Sequence, residues 1–245
     1  MKSLEIVRKW YPHAIHSNDC FSKIAQFTTK ELSITPDRIL IGNSLCGDEM
    51  IHIQFPEKAK KFLGHFNLGG LCGFPFTGIT GMNAFASHVP EDGATLIFYA
   101  PHIGIDQTGE LGKIHRTGIN GKSSCCGALN GALEKLQSNQ IEPNYFSHTD
   151  YQFNVIEQIL LSQRDRIRNA LFPMYEATDV VYETIDKEME SLMKNTIFSC
   201  KTILLLGGIF INGDNEMGSF IEIKRFEKIN VATAQRVDLT SLLTV

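Results

Sequence analysis

The sequence predicts an α/β fold around a largely parallel sheet flanked by helices, with an antiparallel strand at one edge. Three observations carry that expectation. Arg38-Ile39-Leu40-Ile41 and Ala94-Thr95-Leu96-Ile97-Phe98-Tyr99 are short apolar runs of the kind that form buried strands. Stretches of helical periodicity alternate with them. Near the end, Lys201 to Asn212 and the period-two segment Phe220 to Phe226 are separated by Asn212-Gly213-Asp214-Asn215, a hairpin-type turn signal.

In chain order, residues 1–36 read as a helical extension packed on a single domain that spans 1–245. Trp10-Tyr11-Pro12 ends a first helix, and Asp19 caps a second through Phe21, Ile24, Ala25 and Phe27 to Leu32. The strand at 38–41 ends at Gly42, and the strand at 94–99 is closed by Pro101. Between them, Gly69-Gly70-Leu71-Cys72-Gly73-Phe74-Pro75-Phe76-Thr77-Gly78 implies tight turns or close backbone approach. Ser123 or Ser124 is expected to cap a helix running to about Gln137, with Leu129, Ala132, Leu133 and Leu136 on its buried face. A longer helical stretch carries Phe153, Ile156, Ile159, Leu160 and Ile167 up to Pro173, and another spans Glu176 to Lys194.

Composition narrows the function. The 245 residues carry a net charge of -4, which offers no basic face for a phosphate backbone, so nucleic acid is not an expected partner. A bilayer span needs roughly 18–20 apolar residues, and Thr202 to Asn212, the best run, is about half that and holds Gly207 and Gly208. No membrane association is expected. The opening Met1 to Trp10 has no secretory-type apolar stretch, so a reducing cytoplasm is the expected location. There the six cysteines are thiols or metal ligands. Cys20, Cys72 and Cys200 sit among apolar neighbours and read as small core residues.

The remaining cysteines fall where chemistry concentrates. Cys46, with Asp48 two residues on, follows the first strand, at the sheet's carboxyl end where open α/β sheets build their sites. His102 follows the second strand and is held by Pro101. Alone, each reads equally well as an ordinary loop or structural residue. Cys125 and Cys126 open a helix, whose positive N-terminal end favours a thiolate. Two sulfurs and one imidazole, Cys46, His102 and a cysteine at 125/126, make a zinc shell with one position open, as catalytic sites require. Structural zinc sites use close pairs such as Cys-x-x-Cys, which are absent here. Adjacent side chains diverge, so Cys125 and Cys126 do not both bind one ion; a vicinal redox disulfide is their rival use.

Asp48 can reach the same ion as a fourth ligand, or accept a hydrogen bond from its water. Arg116 is the cation best suited to draw Asp48 away, since its fork grips a carboxylate through two parallel bonds; the plain alternative is a surface arginine in a glycine-rich loop. His88 and His115 can shuttle protons or be structural. His13, His16, His52, His65 and His148 read as surface or packing residues.

Six pieces in one order resemble the limiting-carbon-dioxide-inducible protein B family, related to the β-type carbonic anhydrases: Cys46-Gly47-Asp48-Glu49, Gly69 to Gly78, His88-Val89-Pro90, Pro101-His102-Ile103-Gly104-Ile105, Arg116-Thr117-Gly118 and Cys125-Cys126-Gly127-Ala128. With Leu206 to Asn212, the resemblance covers most of residues 40–226. It implies a β-carbonic-anhydrase-like fold, a homodimer, and zinc on Cys46, His102 and Cys126, the cysteine that precedes Gly127 as in β-type enzymes. It assigns Asp48 and Arg116 to the pair governing the open position. Two features depart from the β-type pattern: Glu49 and Met50 follow Asp48, so the arginine comes from elsewhere, and His102 stands far from Cys126. The implied reaction is reversible hydration of carbon dioxide to bicarbonate by hydroxide made at the zinc. A small apolar pocket of Phe74, Phe76 and Ile103 would hold the substrate, and His88 would move the proton. The rival readings are a silent zinc-binding member acting as an interaction partner, since some members of the family show little hydration activity, and a zinc hydrolase of another small substrate.

Overall fold

The structure is a computed structural model that describes residues 2–51 and 62–244. His52 lies outside the described residues. The chain begins with α1 (Lys2–Arg8), β1 (Ala14–His16) and α2 (Ser17–Glu31), followed by β2 (Ile39–Ser44), β3 (Gly64–Asn67), α3 (Gly78–Ala86), β4 (Ala94–Tyr99) and β5 (His102–Ile105). A small hairpin, β6 (Lys113–His115) and β7 (Lys122–Ser124), leads to α4 (Gly127–Gln137), α5 (Tyr151–Ser162), α6 (Arg164–Arg168) and α7 (Pro173–Lys194). Then come β8 (Thr202–Gly213), β9 (Ser219–Asn230), β10 (Arg236–Asp238) and α8 (Thr240–Leu243).

The main sheet runs β1-β9-β8-β4-β2-β3, with β5 added to β8 and β10 to β9. The pairs β2–β3, β2–β4, β4–β8 and β5–β8 are parallel, while β9 pairs antiparallel with β8, β1 and β10. All six residues of β4 are buried, as a central parallel strand with both faces covered requires. Its side chains alternate between two cores. Ile97 and Tyr99 pack with Phe85, Leu129, Ile156 and Val181 from α3, α4, α5 and α7; Leu96 and Phe98 pack with Phe21 and Ile24 from α2. Burying each such side chain stabilises by about 1.5–3 kcal/mol.

Three expectations are corrected. Residues 1–36 are not all helical, because Ala14, Ile15 and His16 pair with Glu222, Ile221 and Phe220 of β9. Three residues are too few to show a period, and the partner strand comes from the far end of the chain. Helix α2 starts at Ser17, which leaves Asp19 in the first turn, where its charge suits the helix dipole. Ser123 and Ser124 cap nothing; they pair with Ile114 and Lys113 in the β6–β7 hairpin, and Cys126 takes the N-cap position of α4.

Candidate metal centre

The carboxyl ends of β2 and β4 are fastened together before either ligand-bearing segment begins. The Ala100 amide donates to the Ser44 carbonyl at 3.1 Å, and the buried Ser44 hydroxyl donates to the Gly73 carbonyl at 2.8 Å. Gly73 has φ 79°, and a Cβ there would stand 2.2 Å from the Ala100 oxygen, so the glycine-rich loop can close over the sheet only with glycine at this point. Cys46 lies two residues past the end of β2. Beyond Pro101, which offers no amide hydrogen, the chain resumes strand as β5, with His102 opposite Phe210 of β8. His102 is therefore the first residue of a short strand, not a loop residue.

Cys46, His102 and Cys126 are buried and bring one ligand atom each to within 4.8 Å of the others. The Cys46 and Cys126 sulfurs are 3.9 Å apart. With zinc–sulfur bonds of about 2.3 Å, a tetrahedral site places two sulfurs about 3.8 Å apart. His102 is fully buried, and its Nε2 has no hydrogen-bond partner among the described residues. A buried ring nitrogen left in that state is costly unless a ligand takes its lone pair. The donor set, two soft sulfurs and one imidazole, is one that zinc favours, and these residues fit that ion.

The electrostatics agree. Cys126 is held well below the ordinary thiol range because Cys46 and Cys72 donate hydrogen bonds to its sulfur, outweighing burial. For His102, burial opposes protonation, but the sulfurs of Cys125, Cys126 and Cys46 outweigh it and move the ring upward. A cluster that gathers negative charge on sulfur and draws a proton to the imidazole calls for a cation.

Asp48 and Arg116 meet beside this trio. Arg116 donates from Nη1 to Oδ1 and from Nη2 to Oδ2, both at 3.1 Å, and Glu49 takes a further bond from Nη1. The fork is braced from behind by Nε to the Ser123 hydroxyl at 2.9 Å and Nη2 to the Ser124 carbonyl at 3.0 Å. Burial pushes the Asp48 carboxyl up, but Arg116 and the Met50 amide outweigh it, so Asp48 lies below the ordinary carboxylate range. Its Oδ2 is 3.9 Å from His102 Nε2.

Phe74 and Phe76, with ring centroids 4.9 Å apart, pack against the core that contains Cys46, Cys72 and Cys126. Ile103 does not join them. Strand alternation turns it away from His102 into a separate cluster with Val7, Ile105, Ile209 and Phe220. His88 is also not brought to the centre: it precedes Val89, whose carbonyl accepts from Ser199 just ahead of β8, at the opposite end of the parallel strands. His115 stands closer, next to Arg116, with Nδ1 2.8 Å from the buried Asp214.

Sequence reasoning missed two residues. Cys72 is buried, as expected of a core residue, but its sulfur lies 3.7 Å from that of Cys126. Its positive φ of 56° between Leu71 and Gly73 is set by the loop, and nothing in the spacing announced it. Asn212 lies 2.9 Å from His102 Nδ1; only the pairing of β5 with β8 brings the two together. The Cys125 sulfur is 3.6 Å from both His102 Nδ1 and Asn212 Oδ1.

Residues 15–230 match the family model described as limiting CO2-inducible proteins B/C beta carbonic anhydrases. No curated protein sequence matches the chain. Among solved structures, PtLCIB4, described as a homolog of the limiting CO2-inducible protein LCIB, has a TM-score of 0.82 at 26% identity, over 96% of this chain and 98% of its own. LCIB itself shares the fold, with a TM-score of 0.69 at 20% identity over 94% of this chain and 96% of its own. With its Cys-His-Cys cluster inside the matched region, the chain belongs to the limiting CO2-inducible protein B/C family of β-type carbonic anhydrases.

Proposed function

We propose that this chain is a zinc-dependent carbonic anhydrase that interconverts carbon dioxide and bicarbonate. The observation that carries the reading is the convergence of Cys46, His102 and Cys126 around the unpartnered Nε2 of His102. Zinc held by Cys46 Sγ, His102 Nε2 and Cys126 Sγ would supply the Lewis acidity that makes water a nucleophile near neutral pH.

The chain's own side chains do the rest. Arg116 occupies both oxygens of Asp48 and so opposes its closing onto the trio as a fourth ligand. Asp48 remains a hydrogen-bond acceptor, 3.9 Å from Nε2 at Oδ2, and orients the attacking water. Phe74 and Phe76 supply an apolar wall suited to a small uncharged substrate. His115, beside Arg116 and half-exposed, is assigned to proton exit together with buffer.

The test pairs zinc analysis with stopped-flow hydration of carbon dioxide. The wild type is expected to carry one zinc and to hydrate carbon dioxide; Cys46→Ser and His102→Ala lose both. A variant that retains stoichiometric zinc overturns the ligand set. Stoichiometric zinc with no hydration in the wild type overturns the enzyme and favours a silent zinc-binding member. The homodimer belongs to the same proposal, and sedimentation velocity tests it.

A further inference from the structure

Asn212, next to last in β8, is buried, and each end of its amide has a partner. Nδ2 donates to the Met50 carbonyl at 2.6 Å, while Oδ1 lies 2.9 Å from His102 Nδ1. Turned over, the amide would press Oδ1 against the Met50 oxygen, two acceptors with no hydrogen between them. The Met50 carbonyl therefore decides which amide atom faces His102. An amide oxygen only accepts, so Nδ1 of the ring must carry the hydrogen. The imidazole that binds a metal is the neutral one, with one donor and one acceptor nitrogen, which leaves the lone pair on Nε2, the buried nitrogen beside Cys46 and Cys126. Cys125 also donates to Asn212 Oδ1, at 3.6 Å, so this cysteine serves the same oxygen.

We propose that Asn212 is the positioning residue of His102: it selects the tautomer and ring orientation that present Nε2 to the metal. The role rests on the reading of His102 as a ligand. Asn212 also ties the ring to the segment bearing Cys46 and Asp48, because the Met50 amide donates to Asp48 Oδ1 at 2.9 Å. One side chain thus couples the imidazole to the acidic partner of Arg116. Partners that hold a ligating histidine in this way typically change metal affinity by about 10–100-fold when removed.

The test compares Asn212→Leu, which removes all three hydrogen bonds of the amide at similar volume, with Asn212→Asp, which gives up the bond to the Met50 carbonyl and keeps an acceptor toward Nδ1. Protein labelled with ¹⁵N-histidine and loaded with zinc reports ring protons directly, and His102 is the one fully buried histidine among the described residues. The wild type and Asn212→Asp are expected to show a slowly exchanging Nδ1 proton. In Asn212→Leu that signal is lost, and zinc affinity, measured against a chromophoric chelator, falls about 10–100-fold. Asn212→Leu with wild-type affinity and an intact Nδ1 proton overturns the role. Should the leucine variant not fold, Asn212→Asp decides: loss of its Nδ1 proton likewise overturns it. Wild-type protein whose zinc affinity is untouched by His102→Ala overturns the ligand reading, and the positioning role with it.

Discussion

Arg116 does at the scale of one side chain what a lysine in its place could not. Five donors in a planar fork serve Asp48 twice, Ser123, the Ser124 carbonyl and Glu49 together, so the carboxylate is held in direction as well as in charge. Arg116→Lys keeps the charge and loses the direction. Charge-assisted bonds of this kind contribute roughly 1.5–3 kcal/mol, so the hydration rate is expected to fall by about 10–100-fold with zinc content unchanged. A variant with undiminished rate would show that Asp48 needs no such hold. Cys72 invites a second comparison. Its sulfur lies as near to Cys126 as Cys46 does, at 3.7 Å against 3.9 Å, yet the mutually close set is Cys46, His102 and Cys126. Cys72→Ser is therefore expected to retain one zinc by elemental analysis while Cys126→Ser loses it; zinc loss from both would make Cys72 a ligand. At this scale the sequence was legible where position alone carries meaning. Cys46 and His102 follow apolar runs and the Cys125-Cys126 pair opens a helix, while the choice of Cys126 within the pair came from the family resemblance. Cys72 and Asn212 were illegible, because each matters only through a neighbour that loop closure or strand register delivers.

At the scale of elements, the centre depends on how two strand ends and one loop are fastened together. Ser44, Gly73 and Ala100 form that fastening, and its tolerance is small: the Gly73 Cα faces the Ala100 carbonyl with no space for a methyl group, in a left-handed conformation. Gly73→Ala combines overpacking, about 1–3 kcal/mol, with left-handed strain of about 1–2 kcal/mol. A loss of about 2–5 kcal/mol in unfolding free energy is expected, read by denaturant titration of the metal-free protein. A loss below about 0.5 kcal/mol would mean that the loop moves aside without cost. The glycine-rich run was legible as a place of close backbone approach, but what it approaches was not, since Ala100 lies just past the end of another strand, β4. The elements themselves divide in the same way. β4, β8 and α7 were legible because burial on both faces or along one stripe writes a long pattern. β1, β6 and β7 are three residues each and borrow their hydrogen bonds from distant or irregular partners.

Over the whole molecule, a parallel half that carries the candidate metal centre is joined through β8 to an antiparallel half that contributes none of its three side chains. The sequence foresaw one antiparallel edge strand; the structure has β9 flanked by β8, β1 and β10. The extra strands bury a charge that a strand face alternating with solvent would have exposed. Glu222 sits opposite Ala14 on one side and Ile209 on the other and is 3% exposed. Burial pushes its carboxyl up to about 7, with Lys224 and the His13 amide offsetting part of the rise and Asp179 adding to it. An unfolded glutamate titrates at about 4.3. Between these values the folded chain keeps a proton that the unfolded chain has released, so this group's contribution to stability declines as pH rises from about 4.3 to about 7, then levels off. Glu222→Gln keeps the shape and cannot titrate. The wild-type Tm is thus expected to fall relative to that of Glu222→Gln between pH 5 and about 7, and to run parallel to it at higher pH. Thermal unfolding of both proteins across that range measures the difference directly, and curves parallel throughout would mean that Glu222 is ionised in the folded chain well below neutrality.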